Sequence, residues 1–571
     1  YIYSQNNKFL ILYYYQIIAK VSDYMKKDIK LVFEDGTEMS LSRGITVREV
    51  LKLLGNDQVI ALRVNGNAQN ADFEIMDDAY INFITVTDRT GRKMYTKGLQ
   101  YVYLMAVKEL YEDKATVNIK HSIDKAIYTE IDMKRQVDRT VVNEIKKKMK
   151  QIINQDLPFK NISVSRKDAY DYCSNLGEKE KCLNYTYMTN DSVTLYELGD
   201  SYNYFYYIMP ASTGILKRFD LTYVSPNGVV LSFPINNVVP KYNHIPLVLN
   251  AFKTYEKRLS DLGVRYAGEV NKIVCKGEIA DFIQTNEILY DENMQAIANK
   301  VVENKNIKAI FISGPSSSGK TTTSKKLALY LKANGIDSLV LSTDDYFVER
   351  VDSPRKADGS YEYECIEALD TKLFNMQLKS LLAGKEVVVP TYNFITGEKE
   401  YKRKPTMLKE NQVLIIEGLH AISEQMNSSI EKKNKLKIYI SPFTPIGLDR
   451  HNHISTTDLR LLRRMVRDYK TRGYSAQHTL DSWIGMRDSE EMYVYPHQME
   501  ADVILNTSLA YEIGVLRTYA EPLLYSISKV SPNYEEAIRI LNFLKCFVSI
   551  PSEYVPHTSV LREFIGNSYF E

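Results

Sequence analysis

Apolar and polar positions alternate over residues 29–34, the period of two that marks a half-buried strand. Asp35-Gly36 then turns the chain into a second such run through Leu41. Thr46-Val47-Arg48-Glu49 reads as a capping box opening a short helix with Val50, Leu51, Leu53 and Leu54. Strands follow at 59–64 and 80–86, with a turn at Asn65-Gly66 and Asp77-Asp78 leading into the last. Hairpin, helix and further strands in this order outline a β-grasp. An amphipathic helix is expected near 137–153, a strand pair at 216–223 and 229–233, and 253–300 reads as connecting helices. The pattern then changes. Short apolar runs at 309–312, 338–342 and 412–416 read as buried strands, and 322–334 as a helix, with Leu327, Tyr330 and Leu331 on one face and Gly335 as its stop. Strands alternating with helices predict an α/β block with a parallel sheet. One amphipathic helix is expected in the tail, at 534–548.

Length changes this picture by excluding a single core: 571 residues suggest three or four domains. A net charge of +2, from 73 basic and 71 acidic residues, argues against bulk nucleic-acid affinity through a basic surface, while a local patch stays open. Five scattered cysteines with no C-x-x-C pair fit free thiols in a reducing cytoplasm. The run 9–19 is apolar and Tyr-rich, yet too short to span a membrane and without the flanks of a secretory signal. The preferred reading takes Met25 as the true start, with 1–24 a non-native or disordered extension; a short membrane-surface or packing segment is the alternative.

The candidate chemistry begins at Gly314-Pro315-Ser316-Ser317-Ser318-Gly319-Lys320-Thr321, a G-x-x-x-x-G-K-[ST] loop between an apolar strand and a helix. Its glycines let successive backbone N–H groups point at phosphate oxygens, and the helix start through Thr322 adds the positive end of a dipole. Lys320 would reach the β- and γ-phosphates, and the Thr321 hydroxyl would help hold Mg²⁺. The loop predicts a bound nucleoside triphosphate, taken as ATP. After the second strand come Asp344 and Asp345, which face different ways, so that one of them can accept a hydroxyl proton in the cleft; a solvated acidic loop reads equally well in isolation. The third strand ends in Glu417, a carboxylate placed to support the Mg²⁺ shell, with His420 as packing nearby. Farther on, Arg460, Arg463, Arg464 and Arg467 fall at i, i+3, i+4 and i+7 and share a helix face. That face is either a solvated basic surface or a lid closing on phosphates, and guanidinium forks favour phosphate.

Taken together, these motifs resemble the uridine kinase and phosphoribulokinase family over 307–524. The resemblance rests on the loop, the Ser-x-Asp-Asp-Tyr segment, Pro390-Thr391-Tyr392-Asn393-Phe394, the Ile416-Glu417-Gly418 strand end and the D-x-R-L-x-R-R-x-x-R-D helix. It implies Asp344 as the catalytic base, Arg464, Arg467 and Arg472 around the phosphates, and Tyr392 near the acceptor base. Departures fall on the acceptor side. The position of a pyrimidine-reading histidine is here Gly397, and the position of a ribose-contacting Asp is Glu364. The first block resembles the TGS domain at the front of threonyl-tRNA synthetases, through its Asp-Gly-Thr hairpin, the Val64-Asn65-Gly66 turn and the strand Asn82-Phe83-Ile84-Thr85. The second resembles the editing domain of that family. Its helix from Gly98 to Met105 carries no histidine, and 196–201 carries neither Cys nor His, so the editing chemistry is expected to be absent.

The expectation is thus a multidomain α/β and α+β protein: an extension (1–24), a β-grasp (25–87), an editing-like α+β domain (88–242), a helical connector (243–300), a P-loop α/β domain (301–525) and a tail (526–571), in which packing is expected rather than catalysis. Function follows the resemblance: a cytoplasmic ATP- and Mg²⁺-dependent kinase whose acceptor is a nucleoside hydroxyl. Asp344, Lys320, Arg464 and Arg467 would do the chemistry, and Asp344, Glu364, Tyr392, Arg464 and Arg467 would meet the acceptor. A sugar-phosphate acceptor is the near alternative. The distant one is an ATP-driven switch whose N-terminal blocks bind RNA or a signalling nucleotide. No membrane partner is expected, and a homo-oligomer is left open.

Overall fold

The computed structural model describes residues 28–123, 125–243, 245–356 and 359–570. The readings made for 1–24 and for Met25 lie outside them. The described residues divide into two compact units. One is built from the chain up to residue 243, less Lys179–Met188 but with Arg450–Asn452, and the other from the rest.

In the first unit, Asp28–Phe33 pairs antiparallel with Glu38–Ser42 and parallel with Ala79–Thr85, which in turn pairs with Val59–Val64. With Asn67–Ala68 at the far edge, this is a five-stranded mixed sheet. The helix Val47–Leu54 begins where the capping box predicts: Glu49 N–H donates to the Thr46 hydroxyl at 3.3 Å, and Thr46 N–H to the Glu49 carboxylate at 2.8 Å. Val47 and Val50 seal the sheet, joined by Leu31, Leu62 and Ile81. Leu53, also expected in this helix, is 59% exposed, because a helix of eight residues turns only part of its surface inward.

Beyond it, the 23-residue helix Arg89–Tyr111 and the helix Arg139–Asn154 pack on a four-stranded antiparallel sheet formed by residues 115–123, 126–133, 220–225 and 228–232. The strand expected from 216 starts instead at Asp220, since Thr213–Ile215 forms a 3-10 turn and Leu216 is buried beneath it. A smaller three-stranded sheet joins residues 160–165, 192–198 and 201–203.

Three helices, Pro246–Asp261, Ala267–Cys275 and Ile279–Glu303, lead into the sheet of the second unit. That sheet has five strands in the order 337–342, 412–417, 309–313, 435–441, 503–506, and every pairing is parallel. Ala309, Phe311, Leu414 and Ile416 are fully buried in its core, which is why these strands read as continuous apolar runs. Register aligns Ile312 and Ser342 with Glu417, so the loop after Ser313, the turn after Ser342 and the Glu417 side chain share one sheet edge. Ligands of open parallel sheets bind at this carboxyl edge. The tail helix runs only Tyr534–Leu544; Cys546, Phe547 and Ile550 then bury themselves without helical geometry.

Candidate active site

The phosphate-binding loop leaves the strand Ala309–Ser313 and ends at the N-cap Gly319 of the helix Lys320–Ala333. Lys320 Nζ folds back over it and donates to the Gly314 and Pro315 carbonyls at 3.0 and 3.2 Å. The loop is braced from behind. Arg460 Nε donates to Ser316 O at 2.8 Å, Thr507 Oγ1 to Ser318 O at 2.6 Å, and Ser316 N–H to Glu490 Oε1 at 2.7 Å. Ser317 is held at φ +60°, a conformation unusual for a residue with a side chain.

Two acids stand at the edge. Thr321 Oγ1 donates to Glu417 Oε1 at 3.3 Å, so hydroxyl and carboxylate sit side by side as a Mg²⁺ shell shared with phosphates and water requires. Burial, reinforced by the nearby Asp344 charge, pushes the Glu417 carboxyl up to about 7. Asp344 follows the strand Asp337–Ser342 in a 3-10 turn, with its backbone N–H on Ser342 Oγ at 3.3 Å. Its carboxyl is also raised, first by loss of water and then by Asp345, while Lys320 and Arg472 pull it back. Asp345 turns away and pairs with Arg403 at 2.9 Å. Of the two adjacent acids, Asp345 is thus paired with Arg403, while Asp344 lies under the influence of Lys320 and Arg472.

The arginine helix, Thr456–Arg472, divides differently from the single phosphate face read from its spacing. Arg460 and Arg463 are completely buried. Arg460 is paired with Glu490, and Arg463 Nε with Glu512 at 2.8 Å. Both reach the back of the loop, so they hold its shape and are not available to close over it. Arg464, Arg467 and Arg472 instead gather on the buried carboxylate of Asp468 at 3.3, 3.0 and 3.4 Å. Three guanidinium groups against one carboxylate leave two positive charges over. Arg464 Nη1 also touches Ser316 Oγ at 3.1 Å, which ties this surplus charge to the loop.

On the acceptor side, Glu364 is half-buried, and desolvation, with Glu490 adding to it, raises its carboxyl to about 7. His420, fully buried and held neutral by that burial at about 4, contacts the Glu364 carbonyl through Nε2 at 2.7 Å and so fixes the segment that carries the acid. Tyr392 is only 5% exposed and packs under Phe347 and Phe394, with ring centroids at 5.4 and 5.0 Å. The aromatic surface that meets solvent here is Phe394, which is 61% exposed and which sequence reasoning did not single out. Gly397 has φ +81°, and a Cβ there would lie 2.6 Å from the Arg350 Cβ. The space a larger residue would need belongs to Arg350, whose guanidinium caps the Phe394 and Ile395 carbonyls. Glu490 and Glu563, both seated on N–H groups of the loop region, were also missed; each is remote in sequence, and no local motif marks it.

A parallel sheet with a phosphate loop, acids at its carboxyl edge and a converging arginine cluster defines a P-loop kinase domain. Residues 309–512 match the model of the Phosphoribulokinase / Uridine kinase family. The uridine kinase of Macrococcus caseolyticus is 28% identical over 221 residues, covering 38% of this chain and 96% of that protein. The N-terminal region is similar to threonine–tRNA ligases. The ligase of Desulforamulus reducens is 28% identical over 176 residues, 30% of this chain and 28% of that protein, so the chain spans under a third of that relative's length. A solved structure titled a possible uridine kinase, from Bacillus stearothermophilus, aligns with a TM-score of 0.24 at 18% identity, over 38% of this chain and 98% of that one.

Proposed function

We propose that the protein transfers the γ-phosphoryl group of ATP, with Mg²⁺, to a hydroxyl of a nucleoside. One observation carries this reading: Asp344 lies under the influence of Lys320, while its neighbour Asp345 is neutralised by Arg403. A switch that only hydrolyses ATP has no need of a base kept free for an acceptor. Lys320 is placed to leave the loop carbonyls for the β- and γ-phosphates, and Thr321 with Glu417 to hold the metal, which would neutralise charge on the bridging oxygens. The acceptor hydroxyl oxygen bonds to the γ-phosphorus as the bond to ADP breaks, and its proton passes to Asp344. Arg464, Arg467 and Arg472 supply the positive charge over the transferring group. Glu364, whose carboxyl is influenced by Asp344, Lys320 and Arg464, is the acid we assign to a vicinal diol of the acceptor.

A second reading, a phosphorylated sugar as acceptor, has support in Arg350, a cation where the family resemblance expects a pyrimidine-reading group. The domain divisions at 87, 242, 300 and 525 belong to the same proposal. Asp344→Asn tests the assignment: it should bind Mg-ATP as tightly as the parent and lose turnover by about 10²- to 10⁴-fold. Normal turnover in that variant would remove Asp344 from the mechanism.

A further inference from the structure

The four leading N–H groups of a helix have no partner within it, and they make its start an anion seat. In the helix Lys320–Ala333, Thr323 N–H already closes the first turn on Gly319 O at 3.0 Å. Thr322 is the next donor back, and it is buried away from water. Its partner comes from the far end of the chain: the Glu563 carboxylate accepts from Thr322 N–H at 3.2 Å and from Thr322 Oγ1 at 2.7 Å. One carboxylate oxygen thus takes both the N–H and the hydroxyl of Thr322, at the helix start to which the loop reading brings a phosphate.

The segment carrying Glu563 is fastened over the loop. Val560 Cγ2 lies 2.5 Å from where a Cβ on Gly319 would stand, so the contact is possible only with glycine at that position. Leu561, Phe564 and Ile565 are buried, and the Phe564 ring lies 4.9 Å from the guanidinium of Arg463. Arg562 ties the turn together through the Ser552 and Val555 carbonyls at 2.8 and 2.7 Å. Two cationic clips hold the end, Lys470 Nζ on Ile565 O and Lys325 Nζ on Phe570 O. Both clips spring from helices that flank the cleft.

We infer that residues 555–570 form an internal plug in which Glu563 occupies a donor-phosphate seat at Thr322, so that nucleotide must displace it to bind. The inference rests on the reading of the loop as a triphosphate site. A tethered carboxylate competes at a high effective concentration, so the plug raises the apparent dissociation constant of the donor by the factor with which the seat is filled. Displacement also frees the segment, which makes its position a reporter of donor occupancy.

The test is calorimetric titration of the full chain with Mg-ATP and with inorganic tripolyphosphate, for the unmutated protein, Glu563→Gln and Lys320→Ala. Glu563→Gln keeps the side-chain shape but removes the charge. It should bind both ligands about tenfold more tightly, and Lys320→Ala should bind both more weakly. Hydrogen exchange of residues 552–570 in the unmutated protein gives a readout independent of any substitution, and should quicken when Mg-ATP is added. Equal or weaker binding by Glu563→Gln, or greater protection of 552–570 with Mg-ATP, overturns the plug while leaving the donor site standing. Absence of Mg-ATP binding in both the unmutated protein and Glu563→Gln overturns the donor reading and the plug with it.

Discussion

Glu417 is the residue at which stability and function pull in opposite directions. Its carboxyl is lifted from 4.5 to about 7 by burial, by the neighbouring Asp344 charge and by Glu563 beyond it. A raised acid binds more protons folded than unfolded between these values, so it lowers stability as pH rises from about 4.5 through 7. Glu417→Gln removes that cost. The variant should melt higher than the parent at pH 8, with a gain of up to about 3 kcal/mol, and should differ little from it at pH 4. Thermal melts of the nucleotide-free proteins across this range check the sign. The same substitution should weaken the Mg²⁺ dependence of ATP binding, because the neutral amide gives the cation less. Glu417 and Asp344 were both legible in the sequence, since a short apolar run ending in an acid leaves that acid at a strand end. The split between Asp344 and Asp345 was legible only as a necessity; which acid is neutralised depends on Arg403, far along the chain.

The arginine helix shows how far a periodic pattern reaches at the scale of an element. Spacing at i, i+3, i+4 and i+7 says which side chains neighbour one another, but not what the next element presents to them. Glu490 and Glu512, from two later helices, claim Arg460 and Arg463, and Asp468 gathers the others. Two classes of outcome follow. Arg460→Met strands Glu490 in the interior and loosens the loop at Ser316, and should cost about 3–5 kcal/mol in denaturant unfolding. Arg464→Ala, one turn farther along the same helix, should leave unfolding within about 1 kcal/mol of the parent and lower kcat by about 10²-fold. Equal loss of stability in both variants would erase the distinction. Three of the five strands of the parallel sheet, at 309–313, 337–342 and 412–417, were legible to within a residue, because they print as unbroken apolar runs, whereas those at 435–441 and 503–506 were not read from the sequence. Nor was the tail. Its expected helix stops at Leu544, and Glu563 reaches Thr322 through 241 residues of sequence separation, which no local pattern encodes.

As a whole molecule, the chain joins a kinase unit to an N-terminal unit with the sheet and helices of a β-grasp and an α+β domain. The helix Arg89–Tyr111 holds Lys97 among the rings of Phe205, Tyr206 and Tyr207. No helix of the described residues is long and apolar enough to cross a membrane. The central claim is phosphoryl transfer to an acceptor rather than ATP-driven switching. It is tested by measuring ADP release from the purified protein against a panel of nucleosides and sugar phosphates, with tRNA as a separate arm and products identified by mass. The account predicts ADP formation that depends on a nucleoside, and a product heavier than that nucleoside by one phosphoryl group. ADP release that ignores every small acceptor and rises with tRNA would contradict it.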